Sequence, residues 1–274
     1  MLDCLCDRFP AIDRAQWVAR FAAGRVLDDA GRALPVTAPY RAAMCVRYFR
    51  EVAGEPRIPF EEQIVHVDQH LVIVDKPHFV PVMPSGQFVE QTLMRRIIRR
   101  FDNPELVPLH RIDRVTAGLV MFSARADTRD AYQALFRERR ITKHYLAVAP
   151  RLDPVPRERH SRLVAGEPFF RMREAPGAPN ASTRIELICS DGERSGYRLS
   201  PITGRKHQLR VHMTAIGAPI VGDSLYPLLK DVADDDYGDP LQLLAKSLEF
   251  VDPLSGEPRS FRSALTLRAW PRER

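Results

Sequence analysis

His110-Arg111-Ile112-Asp113-Arg114-Val115-Thr116-Ala117-Gly118-Leu119-Val120-Met121-Phe122 is the stretch on which the reading of the whole chain turns. It sets one carboxylate between two guanidiniums, then a small-residue turn, then an apolar run with strand character. An Asp flanked by Arg is ordinarily a solvated ion pair. If the segment is extended, however, Arg111 and Asp113 lie on the same face, as alternate residues of a strand do. Its neighbours along the chain are regular. Upstream, Leu71-Val72-Ile73-Val74-Asp75 reads as a buried strand stopped at Lys76-Pro77, because proline cannot continue a ladder.

The flanking segments alternate between the two periodicities. Thr92 to Phe101 has helical spacing with a basic face. Thr128 to Arg140 places Ala131, Leu135 and Phe136 inward and Arg129, Arg137 and Arg140 outward. Ile141-Thr142-Lys143-His144-Tyr145-Leu146-Ala147-Val148 returns to strand alternation. Prolines crowd residues 150–180 and predict an irregular or hairpin insertion; strands then follow from Ala181 and around Tyr197. Beyond Thr203-Gly204-Arg205-Lys206-His207-Gln208-Leu209-Arg210, a helix is expected with Thr203 as N-cap and Gly217 as its stop. Asp231 to Asp239 reads as an exposed acidic loop, and Leu243 to Phe250 as a closing strand. Before all of this, residues 1 to about 55 read as a small module, and Ala53 to Pro59 as a linker punctuated by Gly and Pro.

Composition bounds the function. The chain has 274 residues, 45% hydrophobic and 28% charged, and a net charge of +6, which suits a polyanionic partner. Arginine carries the excess, clustered at Arg95, Arg96, Arg99 and Arg100, at Arg137, Arg139 and Arg140, and around Arg205, Lys206 and Arg210. Three clusters around one candidate site favour phosphate binding over plain solvated faces. No apolar run reaches the roughly 18–20 residues of a membrane span, and the N-terminus lacks signal architecture. Cys4, Cys6, Cys45 and Cys189 are too few and too irregular for a disulfide framework, so a reducing cytoplasm is expected. His110, His144, His207 and His212 match no metal-ligand spacing, and no metal is expected.

Three stretches resemble motifs of the RluA-type pseudouridine synthases. The His110–Leu119 segment is similar to the catalytic-Asp motif H-R-[LI]-D-x-x-T-[SA]-G-L, with Ala117 at the small-residue position. Lys143-His144-Tyr145-Leu146-Ala147-Val148 is similar to K-x-Y-x-A-x-V, and Thr203 to His212 to T-G-R-x-H-Q-L-R-x-H. Residues 1–55 resemble the S4 RNA-binding fold, with Asp28-Asp29-Ala30-Gly31 in place of its customary Val-Asn-Gly turn and a basic strand at residues 45–50. The resemblance implies an α+β architecture: a mixed, largely antiparallel catalytic sheet over residues 60–274, preceded by an S4-like α/β module.

It also implies a reaction. Uridine becomes pseudouridine when its N-glycosidic bond breaks, the uracil turns and C5 joins C1′, which calls for no cofactor. Asp113 would be the catalytic carboxylate, by attack on the sugar or base or by aiding removal of a ribose proton. Arg210 would be its basic partner and Tyr145 the ring that stacks on the target base. Arg111 would wedge into the RNA as the uridine flips out. His110, Arg114, Thr116, Lys143, Arg205, Lys206 and His207 would shape the loop or bind the substrate. The implied partner is RNA, first large-subunit ribosomal RNA and second transfer RNA, bound by a monomer. Two other classes remain: an inactive RNA-binding homologue, which would not need Asp113, Tyr145 and Arg210 together, and a glycoside or nucleoside hydrolase, which usually needs a second carboxylate.

Overall fold

In the computed structural model, which describes residues 1–10, 12–48, 54–233 and 235–271, the chain divides at Gly54. Met1–Gly54 contains helices α1 (Leu2–Arg8) and α2 (Arg14–Ala22) and a short antiparallel pair, β1 (Val26–Leu27) and β2 (Arg47–Tyr48). Trp17 anchors its core among Leu2, Leu5, Phe21 and Val26, with the Tyr48 ring edge-on at 5.0 Å. Asp28 closes the following turn by accepting from the Arg32 backbone N–H at 2.8 Å, and Gly31 supplies the positive φ the turn requires. Phe49 and Arg50 of the expected basic strand, and Ala53 of the expected linker, lie outside the described residues.

Glu55–Arg274 begins with β3 (Gln63–Val67), β4 (Leu71–Lys76), α3 (Leu93–Phe101), β5 (Val107–Pro108) and β6 (Ala117–Ser123). It continues with α4 (Arg129–Arg137), β7 (Ile141–Pro150), β8 (Glu158–Ala165), β9 (Met172–Ala175), β10 (Ala181–Ser190) and β11 (Arg194–Pro201). Helix α5 (Gln208–Ala215), β12 (Leu243–Val251) and β13 (Pro258–Arg262) complete it. One sheet runs in the order β3-β4-β6-β12-β7-β11-β10-β8-β9, with β13 on β12 and β5 on β6. Its described pairings are antiparallel except for β6 with β12. The expected mixed, largely antiparallel α+β architecture is what the chain adopts.

The continuous apolar runs of β4 and β6 follow from helices on both faces of the sheet. Val72, Val74, Val120 and Phe122 pack with Leu93 and Ile97 of α3. The alternate residues Leu71, Ile73, Leu119 and Met121 pack with Tyr132 and Leu135 of α4. Helix α5 lays Leu209 and Met213 against Ala147, Ala149, Tyr197 and Leu199. The Pro-rich insertion is the β8–β9 hairpin.

Two expectations need correction. Thr203 does not cap α5: its hydroxyl donates to Gln208 Oε1 at 2.7 Å and accepts from Ser182 N–H, bracing the loop, while His207 occupies the cap position with φ 53°. Three of the four arginines of the α3 basic face have partners within the chain. Arg95 and Arg99 pair with Glu90, and Arg96 is held by Glu62, Gln91 and the carbonyls of Ile58 and Phe60. Glu55, read as linker, accepts backbone N–H bonds from Val89, Glu90 and Gln91, so it holds the approach to α3.

Candidate active site

Asp113 sits in the irregular loop between β5 and β6, and nearly every contact there shapes the backbone. Thr116 N–H donates to the Asp113 carbonyl at 3.0 Å, closing a turn. His110 Nε2 accepts from Met121 N–H at 3.1 Å, and its ring stacks on Phe136 with centroids 4.8 Å apart. Burial, with Lys143 nearby, lowers the His110 pKa to about 3, so it serves as a neutral acceptor in the wall. Lys76 Nζ, fully buried, donates to the carbonyls of Pro77 and Arg114 at 2.9 and 3.1 Å. Burial pushes that amine down to about 7, against the pull of the Asp113 charge. Gly118 marks where β12 docks: at φ +110°, a Cβ there would meet Ala245 O at 2.3 Å.

The carboxylate's partner comes from α5. Arg210, with 2% of its side chain exposed, donates from Nη1 to Asp113 Oδ2 at 3.0 Å. Its other edge forms a two-point pair with Asp223, Nε to Oδ2 at 2.8 Å and Nη2 to Oδ1 at 2.6 Å. Asp223 is fixed in turn by the N–H groups of Leu225 and Tyr226. A guanidinium locked in this way aims its third nitrogen at a set point. Burial would raise the Asp113 pKa, but the Arg210 charge, then His207, the Arg210 hydrogen bond and Arg111 outweigh it and hold the carboxyl below the ordinary range. Burial works against the Arg210 charge as well, and its hydrogen bonds to Asp223 outweigh that and keep it protonated.

His207 stands on the other side of Asp113, with Nε2 3.9 Å from Oδ1. Tyr226 Oη accepts from Met172 N–H at 2.7 Å and lies 2.9 Å from His207 Nδ1. A hydroxyl that donates to Nδ1 leaves the imidazole proton on Nε2, toward the carboxylate. Burial lowers the His207 pKa to about 4, so the ring is neutral near pH 7.

Two clefts open on Asp113. The first, of about 540 Å³, is lined by Tyr145, Thr116, Leu243 and the cationic side chains of Arg111, Arg137, Arg139, Lys143, Arg205 and Arg210, with His110 and His207. Burial raises the pKa of the Tyr145 phenol, as does the Asp113 charge, so it stays protonated. Burial also lowers that of Lys143. The second cleft, of about 850 Å³, shares Arg111, Asp113, His207 and Arg210 with the first and adds Arg114 and Lys206. Arg114 turns away from the first cleft: its Nε donates to Phe79 O at 3.2 Å and its guanidinium lies 4.8 Å over the Phe88 ring. The structure therefore brings Asp113, Tyr145, Arg210, Arg111, Lys143, Arg205, Thr116, His110 and His207 to one cleft and places Arg114 and Lys206 in the other.

Sequence reasoning missed two residues that position this group. Asp223 lies outside the three motifs, and what singles it out is the need of the buried Arg210 guanidinium for a two-point acceptor. Lys76 was read as part of a strand stop; an ammonium in an apolar strand, next to a proline, was the available signal.

The arrangement suits carboxylate chemistry on a polyanion held by cations, in a mixed catalytic sheet. Residues 70–215, more than half of the chain, match the family described as RNA pseudouridylate synthase, and the chain belongs to that family. Its enzymes isomerise uridine in RNA. The chain is 28% identical over 231 residues to an uncharacterized RNA pseudouridine synthase of Synechocystis, covering 82% of this chain and 79% of the relative. It is 30% identical over 219 residues to the dual-specificity RNA pseudouridine synthase RluA of Haemophilus influenzae, covering 73% and 91%. Among solved structures, the human RNA pseudouridylate synthase domain containing 1 superposes with a TM-score of 0.59 at 26% identity, over 77% of this chain and 86% of that one. Several plant and mammalian relatives are longer, and the chain spans 60% of their length or less.

Proposed function

We propose that this chain isomerises uridine to pseudouridine in structured RNA, with Asp113 as the catalytic carboxylate and large-subunit ribosomal RNA as the target. The observation that carries the reading is the Asp113–Arg210–Asp223 chain beneath the cation-lined cleft. Asp113 is ionised and open to the cleft, and one hydrogen bond to its carboxylate leaves acceptor capacity for a sugar or base. Tyr145, a rigid ring on the wall, stacks on the extruded uracil, and Arg111 fills the gap that the base leaves. Arg137, Arg139, Lys143 and Arg205 take phosphates of the flanking strand. The ribosomal target rests on the helix, turn and basic strand order of Met1–Gly54, read as an S4-like module.

Tritium release from RNA carrying [5-³H]uridine tests the reading, because joining C5 to C1′ frees the label. Release by the wild type from ribosomal RNA, and none by Asp113→Asn, is the expected result. Release from transfer RNA alone overturns the target. Equal release by both proteins overturns the role of Asp113, and release by neither from either RNA overturns the activity.

A further inference from the structure

The second cleft differs in character from the first. Its cations Arg111, Arg114, Lys206, Arg210 and Lys230 face Asp113, Asp231, Asp236 and Asp239, so it offers phosphates little net attraction. What it does offer is exposed apolar surface. Met83, Leu229 and Val232 line it and are 42%, 46% and 45% exposed. Phe170 lines it too, and its chain neighbour Phe169 is 87% exposed, with the two rings edge to face at 5.5 Å. Apolar side chains exposed singly are normal; several around one concavity mark a binding surface.

This surface is also tied to the reaction centre. Phe169 and Phe170 form the tip of the β8–β9 hairpin. Arg171, next to them, donates to Pro227 O at 2.8 Å and lies 5.0 Å over the Tyr226 ring. Met172 N–H donates to Tyr226 Oη, which contacts His207 beside Asp113. An RNA strand with one nucleotide at Asp113 continues in both directions, and the two clefts meet at that residue.

We infer that the Phe169–Phe170 hairpin tip is a stacking platform for unpaired bases of the RNA that flank the target nucleotide. This rests on the RNA-modifying reading above. One arm of the strand is held at its phosphates in the basic cleft, the other at its bases in the apolar one. Aromatic rings bind bases without regard to sequence, because every base presents a π-face.

The test uses the full chain and two fluorescein-labelled probes of about 12 nucleotides, a length within the usual range for such grooves. One is oligouridine and the other an abasic ribose-phosphate chain with the same number of phosphates. Phe169→Ala with Phe170→Ala is expected to weaken oligouridine binding roughly tenfold, leave abasic binding unchanged and leave the salt slope unchanged, since no phosphate contact is lost. The Phe169→Tyr, Phe170→Tyr protein is expected to bind like the wild type. Unchanged oligouridine binding, or an equal loss on both probes, overturns the inference. Sedimentation showing a wild-type dimer that the alanine variant abolishes also overturns it and gives the surface to a second copy. Tritium release by the wild type is read separately, so loss of the platform and loss of the proposed activity are distinguishable.

Discussion

Two clusters in the catalytic unit share one inventory and differ in what they do. Around Arg210 stand Asp113, Asp223, His207 and Tyr226. Around Arg259 stand Asp68, Asp252 and His66, with Tyr132 on Asp252. Exposure does not separate them, since the Asp113 side chain is 26% and the Asp68 side chain 29% exposed. Saturation does. Asp68 accepts from His66, Arg259 and the backbone N–H groups of His70 and Leu71. Among the described residues, the Asp113 carboxylate has one hydrogen-bond partner, Arg210. An ionised carboxylate with spare acceptor capacity facing a cleft can react; one whose lone pairs are all taken holds two strands together.

The sharpest contrast is catalytic. Asp113→Asn is expected to lower tritium release about 10³-fold or more, while Asp68→Asn leaves release within a few-fold and lowers the melting temperature. Equal rate losses would break the comparison. The guanidiniums come next. Arg210→Met leaves Asp223 buried without its partner and is expected to destabilise by about 3–5 kcal/mol, whereas Arg259→Met, at a quarter-exposed site, costs roughly 1 kcal/mol. Denaturant midpoints at constant m-value measure both.

Asp223→Asn separates aim from charge. With Arg210 still present, release is expected to fall about tenfold because Nη1 is no longer held on Asp113. The acid limb of the pH profile should not move upward, as it would in Arg210→Met. A separate effect is on stability against pH. His110, His207 and His212 have pKa values lowered by burial to about 3, 4 and 4, below the ordinary 6.5. Their folded forms bind fewer protons than the unfolded chain, so stability is full above about pH 6.5 and falls toward pH 4. Thermal melts between these limits should show that decline, shallower in His207→Gln.

The sequence made some of this legible and hid the rest for physical reasons. Asp113, Tyr145 and Arg210 stood out because each occupies a fixed place in a motif, and the strands because burial on both faces writes an unbroken apolar run. Partnership across long separations left no such mark. The role of Asp223 depends on where a turn brings it, 13 residues past Arg210. The Arg cluster on α3 reads as wholly solvated because Glu62 and Glu90, which pair with Arg95, Arg96 and Arg99, lie outside its periodic pattern. Tyr132, absent from the inward set Ala131, Leu135 and Phe136, fills the core with its ring because Asp252 satisfies its hydroxyl. Thr203 does not cap α5 because its hydroxyl is engaged by Gln208 and Ser182, and His207, at the cap position, stands beside Asp113.

The position of β12 has a consequence for when the enzyme comes into being. It lies between β6, beside the Asp113 loop, and β7, which carries Tyr145; α5 packs on β7's side. Strand β6 is complete at Ser123, yet the strand that joins it to β7 begins only at Leu243. A chain emerging during synthesis therefore holds the Asp113 loop and the Tyr145 strand, unjoined in the sheet, for roughly ninety residues after β7 is complete. The same holds for a fragment cut between Asp223 and Leu243: it keeps Asp113, Tyr145, Arg210 and Asp223 and lacks the strand that sets them against one another.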